Sequence, residues 1–225
     1  MTPMTLEQIA EQLESEQSSK RMVALANLRH YSAEEAAPLI KKVIDDDNLQ
    51  VRSMAVFALG VKPNPDSYPT LVKILEGDPD YGIRADAAGA LGYLEDPRAF
   101  EVLNRALYED VDWLVRFSAA VALGNLKDSR AYDALMQALD SPEVVIHQAA
   151  IAALGEIKAV ESVDKILTFA QSEDWLVRQR LAEALGQLPT EKSLSALRYL
   201  AKDDHRHVAS AAMLSLQRLS KSGLS

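Results

Sequence analysis

Residues Val115–Gly124 read VRFSAAVALG, and the same ten-residue phrase returns five more times. It stands at Val51–Gly60 (VRSMAVFALG), Ile83–Gly92 (IRADAAGALG), Ile146–Gly155 (IHQAAIAALG), Val177–Gly186 (VRQRLAEALG) and Val208–Gln217 (VASAAMLSLQ). A weaker copy surrounds Arg21, Ala24 and Leu28. The second position runs Arg21, Arg52, Arg84, Arg116, His147, Arg178, Ala209, at intervals of 31 or 32 residues. A fixed period of this size marks one supersecondary unit repeated along the chain. The first and last copies depart most from the phrase, as expected where a stack is capped.

Each unit reads as two helices. Positions one, five, eight and nine of the phrase are apolar, which is helical spacing, and its closing glycine suits a left-handed helix end. Upstream runs a second apolar column, Leu71, Leu103, Leu135 and Leu167, with Leu75, Leu107 and Leu139 one turn later on the same face. Asp112 and Asp174 precede the Trp-Leu-Val-Arg runs, where an aspartate caps the new helix. Asp96-Pro97-Arg98 and Asp128-Ser129-Arg130 mark links to the next unit. Neither helix can bury its apolar face alone, so neighbours must supply the cover. The fold expected is all-α, an α-solenoid of about seven two-helix repeats, forming one body over residues 1–225. Tails at 1–4 and 220–225 are expected to fray. The proline-rich Lys62–Pro69 (KPNPDSYP) keeps the repeat phase, so it reads as an inter-helix loop.

Composition narrows the function. Hydrophobic residues make up 48% of the 225, enough for a sizeable core. With 24 Lys plus Arg against 33 Asp plus Glu, the net charge is −9. Such a chain repels phosphate backbones, which argues against nucleic acid or an anionic membrane as partner. Cysteine is absent, excluding disulfides and thiolate chemistry. No stretch approaches a membrane span and Met1–Leu13 lacks a secretory pattern, so a soluble, cytoplasmic protein is expected.

Val-Arg-x-x-Ala-x-x-Ala-Leu-Gly, preceded by Asp-Pro-Arg-Ala and a leucine-rich helix, resembles the HEAT-like repeats of the phycobilin lyase family, across about residues 17–218. That family includes lyases that attach or detach bilins on phycobiliproteins, and a smaller single-chain relative required for phycobilisome degradation. The resemblance implies a protein that binds phycobiliproteins such as phycocyanin or allophycocyanin, a protease adaptor, or phycocyanobilin itself. Assistance in bilin detachment is the activity it implies; a scaffold without a small ligand is the alternative.

Catalytic motifs are missing. There is no phosphate loop, nucleophile elbow or His-Glu-x-x-His helix, and His30, His147, His205 and His207 lack ligand spacing. No metal or required cofactor is expected. What remains is a surface. With position one facing the core, positions three, six, seven and ten point away, on the side a HEAT-like stack makes concave. Val56, Phe57, Phe117, Ala120, Val121, Ile151, Met213 and Leu214 stand there, and Tyr81, Trp113, Val144 and Trp175 stand two residues before the phrase. An apolar groove is expected. The six phrases carry five arginines against Asp86 and Glu183, a net of +3, leaving −12 for the rest of the −9 chain. The candidate binding residues are Tyr81, Arg84, Asp112, Trp113, Arg116, Phe117, Trp175 and Arg178. Arg84 and Arg116 would hold bilin propionates, and Asp112 would accept pyrrole hydrogens. The competing reading pairs each arginine with the aspartate four residues earlier, as a structural ladder: Asp80 with Arg84, Asp112 with Arg116, Asp174 with Arg178.

Overall fold

The structure is a computed structural model that describes residues 4–221. It falls into two compact units, Met1–Val102 and Leu103–Ser225. The first holds helices α1 (Leu6–Leu13), α2 (Ser18–Asn27), α3 (Ala33–Lys41), α4 (Leu49–Val61), α5 (Ser67–Gly77) and α6 (Tyr81–Tyr93). Helix α7 (Phe100–Glu109) spans the division. The second unit continues with α8 (Trp113–Asn125), α9 (Tyr132–Ala138), α10 (Val144–Glu156), α11 (Val163–Ile166), α12 (Trp175–Leu185), α13 (Glu191–Leu200) and α14 (Arg206–Lys221). Among the described residues these fourteen helices form seven pairs and no strand occurs, which is the α-solenoid read from the repeat. No described helix is long and apolar enough to cross a membrane.

The second helix of each pair carries the repeated phrase, and these helices lie side by side, α2–α4–α6 in one unit and α8–α10–α12–α14 in the other. Short polar caps set their starts. Asp80 accepts the Ile83 N–H, Asp112 the Leu114 N–H, and Asp174 those of Leu176 and Val177, as expected of capping aspartates. Of the proline-rich stretch, residues 62–66 are the loop between α4 and α5 and Ser67, Tyr68 and Pro69 open α5, with the Asn64 N–H on Ser67 Oγ. Asp96 and Asp128 each cap a 3-10 turn and clasp Arg98 or Arg130 two residues on. Within the expected tails, the Met4 carbonyl accepts the Tyr31 hydroxyl and Ser220 and Lys221 continue α14. Residues 1–3 and 222–225 lie outside the described residues.

Three details correct the sequence reading. Position six is fully buried at Val56, Ala120 and Ile151, because the next second helix covers it. The leucine column holds at Leu71, Leu103 and Leu135, all fully buried, but Leu167 is only half-buried and Ile166 takes its place. There α11 lasts four residues and tightens into a 3-10 turn at Leu167–Phe169, which rotates the register. The closing glycine is not a left-handed end. Left-handed backbone occurs three residues later, at Glu95, Lys127 and Lys158, with φ of 49°, 52° and 55°.

The glycine instead permits close approach. A methyl group on Gly124 would lie 2.8 Å from Ala153 Cα, and one on Gly155 would lie 2.8 Å from Ala184 Cα. Gly60 meets Ala90 in the same way. Gly89, mid-helix in α6, has nothing within 4 Å of the added carbon. The same substitution therefore has opposite signs. Gly89→Ala should gain about 0.5–1 kcal/mol from helix propensity. Gly124→Ala should lose about 1–3 kcal/mol to overpacking despite that gain. Urea titration of both variants decides it, and matching signs would contradict the close-contact role.

Candidate functional site

In the second unit, α8, α10 and α12 present a trough of about 340 Å3. Small residues of α10, Ala149, Ala152 and Ala153, floor it, with Gly124 beside them. Phe117 and Val121 of α8 form one wall, Leu176 and Arg180 of α12 the other. The shape follows from the repeat. The glycine contact draws the helices together, and alanines in the central copy sink its surface below its neighbours. Gln148 on α10 donates to Asp174, and Glu156 accepts from Gln187, so both rims are hydrogen-bonded. Arg180 is the cation lining the trough, held by Glu183 at 2.8 Å and still partly exposed.

The eight expected residues divide. Phe117 lines the trough. Trp113 is exposed at the start of α8. Trp175 is exposed on one side, while His205 stacks on the other at 4.2 Å and His207 leans in at 5.6 Å. Tyr81 and Arg84 belong to the first unit, where Tyr81 is exposed, as are Phe57 and Tyr93, which meet edge to face at 5.9 Å. Asp112 spends its carboxylate oxygen on the Leu114 N–H at 2.8 Å.

Arg116 and Arg178 lie outside the trough lining and are held in ion pairs. Their partners correct the expected ladder. Arg116 pairs with Glu143 at 2.6 Å, and Arg178 grips both oxygens of Asp203 at 2.8 and 3.0 Å. Arg21 grips Asp46 in the same way, and Arg52 reaches Asp78 at 3.8 Å. Each acid stands 25–27 residues after its arginine, in the next repeat; at Arg116 and Arg178 the aspartate four residues earlier is occupied as the helix cap, and at Arg21 and Arg52 that place holds Gln17 and Asn48. A second bond completes the pin. Arg21, Arg52, Arg84 and Arg178 each donate from Nη1 to the carbonyl six residues upstream, in the turn that links the two helices of a repeat. His147 keeps that bond to the Ser141 carbonyl at 2.6 Å, which requires the proton on Nε2, since a carbonyl only accepts. The place 25 residues on, which holds the acid for Arg21 and Arg178, is Ser172 here. This column, Asp46, Asp78 and Asp203, went unread in the sequence, although its 32-residue spacing at Asp46 and Asp78 was available.

Electrostatics agree with the pinning role. The hydrogen bond from Arg178 holds the Asp203 carboxyl below the usual range. Glu143 is held low by the Ser141 hydroxyl first and then by Arg116. At Asp46 burial pushes upward, yet the bonds from Arg21 and the Asn48 N–H win and the carboxyl lies low. Asp86, on α6, is the exception: burial raises it against a hydrogen bond from Ser53. Among the described residues no group of three His, Cys, Asp or Glu side chains could hold a metal ion.

Helix pairs at this period, pinned by arginine and closed by glycine, define a class. The chain matches the HEAT-repeat family over residues 6–80, 68–149 and 132–217, and it belongs to that family. It is similar to a chain of the complex of CpcE and CpcF of phycocyanin lyase from Nostoc sp. PCC7120, with 26% identity, 84% of this chain and 77% of that one covered, and a TM-score of 0.67. It shares its fold with Kap95p from a complex with RanGDP, at 15% identity and a TM-score of 0.63, covering 96% of this chain and 36% of that one. An engineered protein aligns at 21% identity over 97% of this chain and 98% of its own, with a TM-score of 0.54. The chain matches no curated protein.

Proposed function

We propose that this chain is a phycobilisome-associated protein whose second-helix surface binds phycobiliproteins, their bilin, or both, and assists bilin detachment during phycobilisome degradation. The observation that carries the reading is the trough of α8, α10 and α12, an apolar depression with one arginine at its wall, in a chain similar to one from a phycocyanin lyase complex. Its volume is at the lower end of ligand sites, roughly 300–1,000 Å3. It suits part of an extended planar ligand, or two turns of a helix, better than a whole enclosed metabolite. Phe117 supplies a π-face and Arg180 a partner for a carboxylate. The arginines of the repeat are committed to holding neighbours together, so Arg180 replaces Arg84 and Arg116 as the proposed anchor. A scaffold reading, with a partner helix and no small ligand, is favoured by that same commitment, which leaves the trough a single cation.

Mixing the purified chain with phycocyanobilin should shift and sharpen the bilin absorption band. Phe117→Ala and Arg180→Ala should each weaken that binding by about tenfold, worth roughly 1.4 kcal/mol, with the melting temperature little changed. No band shift, together with retained binding to phycocyanin that Phe117→Ala weakens, would leave the scaffold reading. Wild-type behaviour of both variants toward bilin and phycocyanin would remove the trough from the function.

A further inference from the structure

Helix α14, the last of the second unit, is 16 residues long and carries Arg206, Arg218 and Lys221 with no acid. The whole chain bears −9, so all the rest sums to −12 against this helix's +3. None of the three cations has a carboxylate partner among the described residues. Arg206 opens the helix, where the dipole disfavours positive charge and where other second helices of the chain place a capping Asp or Asn just ahead.

The cations surround exposed apolar surface. At 100° per residue, Arg206, His207, Ser210, Met213, Leu214, Gln217, Arg218 and Lys221 share one arc of about 140°. All are exposed, Met213 at 50% and Leu214 at 65%. Position six, here Met213, is fully buried at Val56, Ala120 and Ile151, where a following second helix covers it. Yet α14 is not built to receive an eighth repeat. Gln217 fills the place of the close-contact glycine, and Ala209 the place of the arginine pin. A carbon at the glycine position of α10 already meets the next helix at 2.8 Å. Any element on α14 must therefore ride at side-chain distance, about 8–10 Å between axes.

We infer that this face of α14 docks an acidic amphipathic helix of a partner protein, with apolar residues at its middle against Met213 and Leu214 and carboxylates at its ends against Arg206 and the Arg218–Lys221 pair. The cations are about 22 Å apart along the axis, which sets the partner element at roughly 15–18 residues. A membrane fits less well, because the exposed arc offers two apolar side chains and no Trp, Tyr or Phe, while the rest of the chain repels anionic lipid.

The test uses the full chain and a labelled synthetic helix of roughly 18 residues, with Leu at helical spacing in its middle and Glu at both ends. Fluorescence anisotropy should show binding that weakens with salt. Leu214→Ser and the double substitution Arg206→Glu/Arg218→Glu should each cost at least about tenfold, with circular dichroism unchanged because these side chains are exposed. The double variant should instead take the same helix with Lys in place of Glu. Failure of the acidic helix to bind, equal binding of the Lys helix by the unaltered chain, or indifference to the α14 variants overturns the inference. So does binding to phosphatidylserine vesicles that the acidic helix does not compete away. Phe117→Ala should leave this binding untouched, so the trough and the end helix are judged separately.

Discussion

Leu135→Ala should destabilise the second unit by about 2–5 kcal/mol. The side chain is fully buried at the centre of α9, where a removed isobutyl group leaves a cavity that the short helix cannot collapse to fill. Neighbouring repeats share the loss, since in a stack each repeat is stable only through its neighbours. Leu167→Ala is the paired control. The sequence column treats the two leucines alike, but Leu167 is half-buried beyond the end of α11, so its loss should stay below about 1.5 kcal/mol. Guanidinium titration of both variants measures the difference. Equal losses would restore the unbroken leucine column and refute the register shift.

The second large effect lies in the pin. Arg178→Ala removes the cation from Asp203, whose side chain is only 11% exposed in the intact pair, while the Ser172 carbonyl loses its donor as well. A broken pair at such burial costs about 3 kcal/mol, near the low end for buried pairs because some solvent still reaches both partners. The double variant Arg178→Met/Asp203→Leu should recover most of that loss, since it removes the stranded charge. A cost under about 1 kcal/mol for the single variant, typical of exposed pairs, would demote the pin to a surface contact. The cost should also depend on pH with a definite sign. Asp203 titrates below its ordinary value in the folded chain, so the contribution is present above the unfolded pKa and disappears as the pH falls through the folded one.

What the sequence disclosed and withheld follows from the range of each interaction. Helices, their pairing and their number were legible because burial imposes a local period, and Val115, Ala119 and Leu123 repeat it within ten residues. The cap at Asp112 was legible for the same reason, since it acts two residues away. The partners of the arginines were not, because the nearby acid that spacing favours was already occupied and the true partner is 25–27 residues downstream. Glycine misled in a similar way. Its commonest use is a turn of the backbone, and nothing in one repeat announces the alanine of the next that presses on Gly124. The apolar face was half legible. Position seven is open at Phe57 and Val121, whereas position six needed a neighbour's coordinates to be seen as covered.

Asp46 takes part in two repeats at once: its carboxylate accepts from Arg21 and its carbonyl from Arg52. Asp78 does the same for Arg52 and, through its carbonyl, for Arg84. A lineage that lost residues 47–78 in one event would therefore bring Asp46 up to Arg84 with both of its bonds restored. Loss of a smaller segment from the same stretch would change the spacing of Arg52 from Asp46 or Asp78 and break the pin that spans it. Change of chain length by a whole period is therefore the change that leaves both bonds of each such acid intact.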